Sequence, residues 1–363
     1  MKVLRIRPGE PLPAGLAGAI LCRDVRVGGD PWAKGRRLTA DDLARLAAGP
    51  VSRRGVWAGA GRDPAELTLL LPDAADLHED EAASRIAAAI SGPGLIAGDP
   101  AESRVDLRAR HDGVVRVRPG ALARLARLDG ISAFTILDGR AVAAGSLVAA
   151  VKTGPHLVPA ALVERACRIG ALGGPLVDLL PYRPIPLAAA VREHLAPAAR
   201  DRFAAGLAAR AAGLGARLAG IADLPDDPAG AAAVLGELVR GPARAGVILV
   251  AGAASTDPAD PVLLALDRLG ARVVSHGVPA HPGSMLLLAR LRGTAIIALP
   301  TCGAYSRATA ADLLLPWLAA GAPPTRATVA RLAHGGILDR DQRHRFPPYA
   351  RALPDPGEEP GEG

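Results

Sequence analysis

The most regular patterning lies in the second half of the chain, where short uninterrupted apolar runs alternate with longer stretches of helical periodicity. "IPLAAAV" (185–191), "ARLAGIA" (216–222), "GVILVA" (246–251), "ARVVSH" (271–276) and "TAIIAL" (294–299) read as strands. Residues 199–214, 228–241, 261–269, "SMLLLARLRG" (284–293) and a stretch from about 307 to 320 read as helices, with Gly241 and Gly270 as stops. Strands apolar on both faces, separated by helices, predict an α/β fold: a three-layer domain with a mostly parallel sheet covered on both sides. In such sheets ligands bind beyond the carboxyl ends of the strands. The loops that follow the strands are therefore where chemistry is sought.

The first 185 residues pattern differently. Short β-like pieces ("VLRIR", "AILCRDVRV", "SRVDLRA", "VVRVRP", "SLVAAV") are broken by Gly and Pro, and helices are expected only at "TADDLARLAA" and "DEAASRIAAAI". Thr39 and Asp42 have the spacing of a capping box. The expected organisation is a smaller mixed α+β region over 1–185, with one or two subdomains, then an α/β domain over 186–322. A C-terminal extension over 323–350 and a disordered acidic tail over 351–363, ending "PDPGEEPGEG", complete it.

Composition narrows the function. The formal charge of +7 suits an anionic partner, but the arginines are spread along the chain and only 2% of residues are aromatic, so no nucleic-acid surface is indicated. Cys22, Cys167 and Cys302 are far apart and form no CxxC, which speaks for a reducing compartment and against a disulfide framework or structural zinc. The start "MKVLRIRPGEPLP" has no apolar signal core, and no apolar run reaches about 18 residues. A cytoplasmic protein with no membrane partner is expected. "HED" at 78–80 lacks a second His four residues on, so it is not a zincin motif.

Three loops carry candidate chemistry. In "GAASTDPAD" (252–260), Asp260 before Pro261 is a good N-cap, which explains it without any ligand. The functional alternative is that Gly252 and the small residues after it let backbone amides approach an anion, with Ser255, Asp257 and Asp260 supplying a hydroxyl and carboxylates. "SHGVPAHPGSM" (275–285) carries His276, His281, Pro282, Gly283 and Ser284. "LPTCGAYSRA" (299–308) carries Thr301, Cys302, Ser306 and Arg307 before a helix, again suited to an anion. Cys302 has no assignable His partner and reads as a small buried thiol rather than a nucleophile.

The order and spacing of these loops resemble the GGVSVGxxD-like, KPGKP-like and LPGNP-like turns of the binding domain of molybdopterin molybdotransferases. Ser255 and Asp260 fall on that pattern's Ser and final Asp, and Pro282-Gly283 and Leu299-Pro300 match outright. "KGRRLTADDLARLAA", "LHEDEAASRIAAAISGPGL" and "SLVAAVKTGPHLVP" are similar to segments of the family outside that domain, and "PTCGA" is closer to a stand-alone subgroup of molybdopterin-binding proteins. The resemblance implies a site for molybdopterin or its adenylylated form, with Asp260 as catalytic carboxylate and metal ligand. Gly252, Ser255, Asp257, Pro282, Gly283, Ser284, Thr301, Cys302, Ser306 and Arg307 would be the cofactor contacts. It further implies molybdenum transfer helped by Mg2+, and a homodimer.

The departures are specific. The family's TGDEL-like turn is replaced by "REHLAPAARDRF", with Glu193 as the one acidic substitute close behind the strand; Ala253 and Thr301 stand for glycines, and His281 and Ser284 for lysines. Two other functions fit the same domain: a non-catalytic carrier or maturation factor for a molybdoenzyme, and a pyrophosphatase-like use on nucleotide sugars or ADP-ribose.

Overall fold

The computed structural model describes residues 1–53, 66–253, 256–300, 308–351 and 353. It divides into two compact units, one of residues 1–108, 117–135 and 147–178, the other of 109–116, 136–146 and 179–363.

The first unit is mixed α+β, as the broken pattern predicts. Lys2–Ile6, Leu67–Leu71 and Ile20–Leu21 form an antiparallel sheet. Nearby, the helix Ala40–Ala48 starts at Thr39 with the expected capping box: each of Thr39 and Asp42 bonds the other's backbone amide. The core here is Ile6, Leu21, Trp32, Leu38 and Leu69, and the Arg36 guanidinium stacks 4.5 Å from the centre of a Trp32 ring. A second sheet joins Ile131–Thr135, Leu147–Thr153, Arg104–Ala109 and Leu95–Ala97. Helix Glu79–Ile90 packs with it and with a helix the pattern did not announce, Ala160–Ala171.

The second unit holds the α/β domain. Its elements are β1 (Pro186–Val191), α1 (Pro197–Gly213), β2 (Arg217–Asp223), α2 (Pro228–Arg240), β3 (Val247–Ala251), α3 (Pro261–Arg268), β4 (Arg272–His276), β5 (Leu287–Leu291), β6 (Thr294–Leu299) and α4 (Ala310–Ala319). The six-stranded sheet runs β2-β1-β3-β6-β5-β4; the first four strands are parallel, and β5 is antiparallel to both of its neighbours.

Alternate residues feed two cores. Leu187, Val191, Leu249, Ile297 and Leu299 meet Phe203 and Leu207 of α1 and Leu314 and Leu318 of α4. Ala188, Ile248, Val250, Ile296 and Ala298 meet Leu235 of α2 and Val262 and Leu266 of α3. This is the doubly covered sheet the sequence predicts.

One expected helix is a strand. Residues 284–293 contain β5, not a helix. Leu286 and Leu288 face one core while Leu287, Ala289 and Leu291 face the other, so nearly every position is apolar and the sequence shows no strand period. Arg292 (φ 50°) and Gly293 (φ 94°) make the two-residue turn of the β5–β6 hairpin. Because β4 is antiparallel to β5, it still runs with β6, so the loop after β4 stays on the same rim as those after β3 and β6.

The excursions 109–116 and 136–146 belong to this unit. Val114 clusters with Trp317 and Ala320 of α4 and its C-cap, and Gly139 lies so close to Trp317 that a Cβ there would be 2.9 Å from its Nε1.

Candidate functional site

The rim is assembled around two backbone carbonyls. Leu299 O, at the end of β6, accepts from Gly252 N at 3.0 Å and Ala253 N at 3.1 Å, tying the first loop to the start of the third. Pro282 O accepts from Ala310 N at 2.8 Å, tying the second loop to the helix that follows the third. Gly283 makes this possible. It has φ 105°, and a Cβ would sit 2.8 Å from Ala310 N. The Gly-rich stretch "AHGGILDR" (333–340) braces the same loop: His281 N donates to Gly336 O at 2.7 Å, and Leu338 N to His281 O at 2.8 Å. His281 is exposed, and its Nδ1 is 3.4 Å from Ser284 Oγ; Pro282, Gly283 and Ser284 are half-buried.

A residue the sequence reading passed over closes the first loop. Arg192, directly after β1, donates from Nε to Gly252 O at 2.7 Å and from Nη1 to Asp226 at 2.9 Å, and its Nη2 is 3.2 Å from Asp260 Oδ2. Its place just beyond a strand end on the binding rim was the available signal. Glu193 is the next residue, and a Cβ on Gly252 (φ 89°) would be 3.0 Å from its Cγ, so the acidic substitute lies against the first loop.

Asp260 is 1% exposed. Its Oδ1 accepts from Val262 N at 2.8 Å and Leu263 N at 3.4 Å, the N-cap expected before Pro261, while Oδ2 faces Arg192. The carboxylate is therefore committed to shaping the loop. Asp257 is exposed, and its Oδ1 accepts from Ala259 N at 2.8 Å, an Asx turn. Ser255, Thr301, Cys302, Ser306 and Arg307 lie outside the described residues.

The helix after the third loop begins at Ala310, not 307, and its first amides are already satisfied. Ala310 N goes to Pro282 O, Ala311 N to Thr309 Oγ1, and Asp312 N to Thr309 O. Anion recognition on this rim thus falls to side chains and loop backbone rather than to open helix ends. Behind the cap, Asp312 is fully buried and pairs with Arg210 of α1 at 2.8 Å (Nε to Oδ1) and 3.0 Å (Nη2 to Oδ2). Burial works against the Arg210 charge, but the Asp312 carboxylate outweighs it and raises the guanidinium pKa. Burial, then the Asp312 charge, pushes the Tyr349 phenol well above its ordinary range.

Among the described residues, no group of three or more His, Cys, Asp or Glu is arranged to hold a metal ion. The described residues do not fit the Mg2+ site implied by the transferase resemblance, since Asp260 already faces a guanidinium. The "HED" residues are used structurally, with His78 bonding Gly35 O at 2.8 Å and Glu79 lying 2.8 Å from a ring nitrogen of His156. No helix among the described residues is long and apolar enough to cross a membrane.

The fold and this rim define a class: a doubly covered, mostly parallel sheet whose first carboxyl-end loop is fixed to the end of β6 and whose second is fixed to α4. Residues 190–320 match the family described as "Probable molybdopterin binding domain", a span that takes in the sheet from the end of β1 to α4 and all three loops. The resemblance to molybdopterin-binding proteins stands on that match. No curated protein matches the chain. Among solved structures, the chain is similar to the molybdopterin biosynthesis moea protein from Pyrococcus horikosii (13% identity, 68% of this chain and 80% of that chain, TM-score 0.27). It is also similar to the molybdopterin biosynthesis enzyme MoaB from Thermus thermophilus (17% identity, 36% of this chain and 87% of that chain, TM-score 0.25).

Proposed function

We propose that the rim formed by residues 252–260, 281–285 and 299–307 binds molybdopterin or its adenylylated form, in the service of molybdenum cofactor biosynthesis. The observation that carries this reading is that Leu299 O fixes the first loop to the end of β6 and Pro282 O fixes the second loop to the start of α4, inside the segment that matches the molybdopterin-binding family. Ligand contacts would come from the exposed Asp257, from Ser284, and from Ser255, Thr301, Cys302, Ser306 and Arg307. Asp260 acts as a positioning residue, holding the loop through α3 and Arg192.

Within that reading, a carrier or maturation factor is favoured over a molybdotransferase. The transferase resemblance assigns the metal to Asp260, and here that carboxylate faces Arg192 at 3.2 Å, which supports a role in holding the loop over one in holding a cation. The downstream partner would then be a molybdoenzyme, with a homodimer as the proposed assembly. The test is binding of the pterin to purified protein followed by addition of molybdate and Mg2+. A carrier keeps the ligand unchanged; metal-dependent release of nucleotide would restore the transferase assignment. Hydrolysis of ADP-ribose without pterin binding would select the pyrophosphatase reading.

A further inference from the structure

The rim at the opposite end of the same sheet, where β3 and β6 begin, carries an open depression of about 410 Å3. Its charged lining is Arg240 at the end of α2, Arg244 in the connection to β3, and Arg292 in the β5–β6 turn. Among the described residues, none of these three guanidinium groups has a hydrogen-bond or ion-pair partner, whereas Arg192, Arg200 and Arg210 are each matched to carboxylates. The Glu237 carboxylate lies against Gly241 at the margin, and Arg217 adds a further positive charge beside the connection, bonding Ala243 O at 3.4 Å.

In a chain so rich in arginine, a single exposed one carries no information. These three differ in convergence and in backbone. Arg244 has φ 40° and Arg292 φ 50°, both left-handed, where a side chain with a Cβ is strained. The two-residue hairpin turn requires φ > 0 at its first position and is normally filled by Asn, Asp or Gly. Arginine is the locally unfavourable choice there, and it places a guanidinium at the depression. Strain of this kind concentrates at binding sites.

We infer that this depression is a second, phosphoanion-binding site, taking the phosphate or pyrophosphate end of a small ligand while the remainder projects into solvent. The planar guanidinium fork matches phosphoryl oxygens two at a time, and several positive charges against one marginal carboxylate call for a compact, multiply charged anion.

The experiment is calorimetric titration of the protein with inorganic pyrophosphate at low salt, repeated on the Arg244→Asn/Arg292→Asn double variant and on Arg240→Gln. Saturable binding is expected, falling by about tenfold or more in the double variant and weakening steeply with added salt. The melting temperature of the double variant should be unchanged or higher, because asparagine tolerates left-handed backbone better than arginine does. Arg240→Gln, at a helix end with no special backbone, should weaken binding independently of any effect on folding. Absence of saturable binding to the unmodified protein, or equal binding by the double variant, would overturn the inference. So would binding of an acidic peptide such as hexaglutamate in place of pyrophosphate, which would make the depression a polypeptide-docking surface.

Discussion

Gly283, Arg192 and Tyr349 each carry a different kind of constraint. Gly283 lets the second loop close on α4, and a methyl group there would meet Ala310 N at 2.8 Å in a backbone that already disfavours side chains. Gly283→Ala is expected to destabilise by roughly 1–3 kcal/mol, read by denaturant unfolding, and to weaken pterin binding in the same protein. Arg192 serves three acceptors at once. Arg192→Gln leaves Asp260, 1% exposed, without its cation and should cost about 1–3 kcal/mol, again by denaturant unfolding. Arg192→Lys should not restore the loop, since one ammonium cannot span Gly252 O, Asp226 and Asp260. The Tyr349 hydroxyl is buried without a hydrogen-bond partner among the described residues. Its pKa is raised in the folded protein, so its contribution to stability is complete below the ordinary tyrosine value of 10.0 and is lost as the pH rises beyond it. Tyr349→Phe should be neutral or stabilising at neutral pH and should flatten the alkaline limb of a stability-versus-pH curve.

Helix starts with a capping signal were placed correctly. Asp260-Pro261 starts α3 and Thr39 with Asp42 starts Ala40–Ala48, because caps are local chemistry that tertiary packing rarely overrides. The error at β5 has the opposite origin. A run buried on both faces loses its period, and a glycine that closes a helix is indistinguishable in sequence from one that completes a hairpin. The α4 start shows a third case: residue 309 carries a visible Thr-x-x-Asp box, but the Arg210 that satisfies Asp312 lies 102 residues away and could be paired with it only once the sheet was assembled. Removing one member of that buried pair leaves the other charge uncompensated. Arg210→Met is expected to cost about 3–5 kcal/mol, measured by denaturant unfolding. Asp312→Asn should cost less than Asp312→Ala, because the amide oxygen can still accept from Thr309 N.

For the molecule as a whole, the α/β architecture and the candidate rim were legible in the sequence, because strand-end loops in such sheets fall on one side whatever the strand order. Membership of 109–116 and 136–146 in the second unit was not legible, since nothing in "HDGVVRV" or "LDGRAVAAG" announces that Val114 and Gly139 pack against Trp317. Nor was the neutralisation of Asp260 by Arg192, which comes from another strand. Ligand binding at the rim is tested by the pterin content, from fluorescence and mass spectrometry, of protein purified without oxygen from a host that makes molybdopterin, alongside Arg192→Gln and Gly283→Ala. The expected result is a co-purifying pterin in the unmodified protein, lost from both variants while they remain folded. An unmodified protein free of pterin, or variants that retain it fully, would show that the rim is not the site.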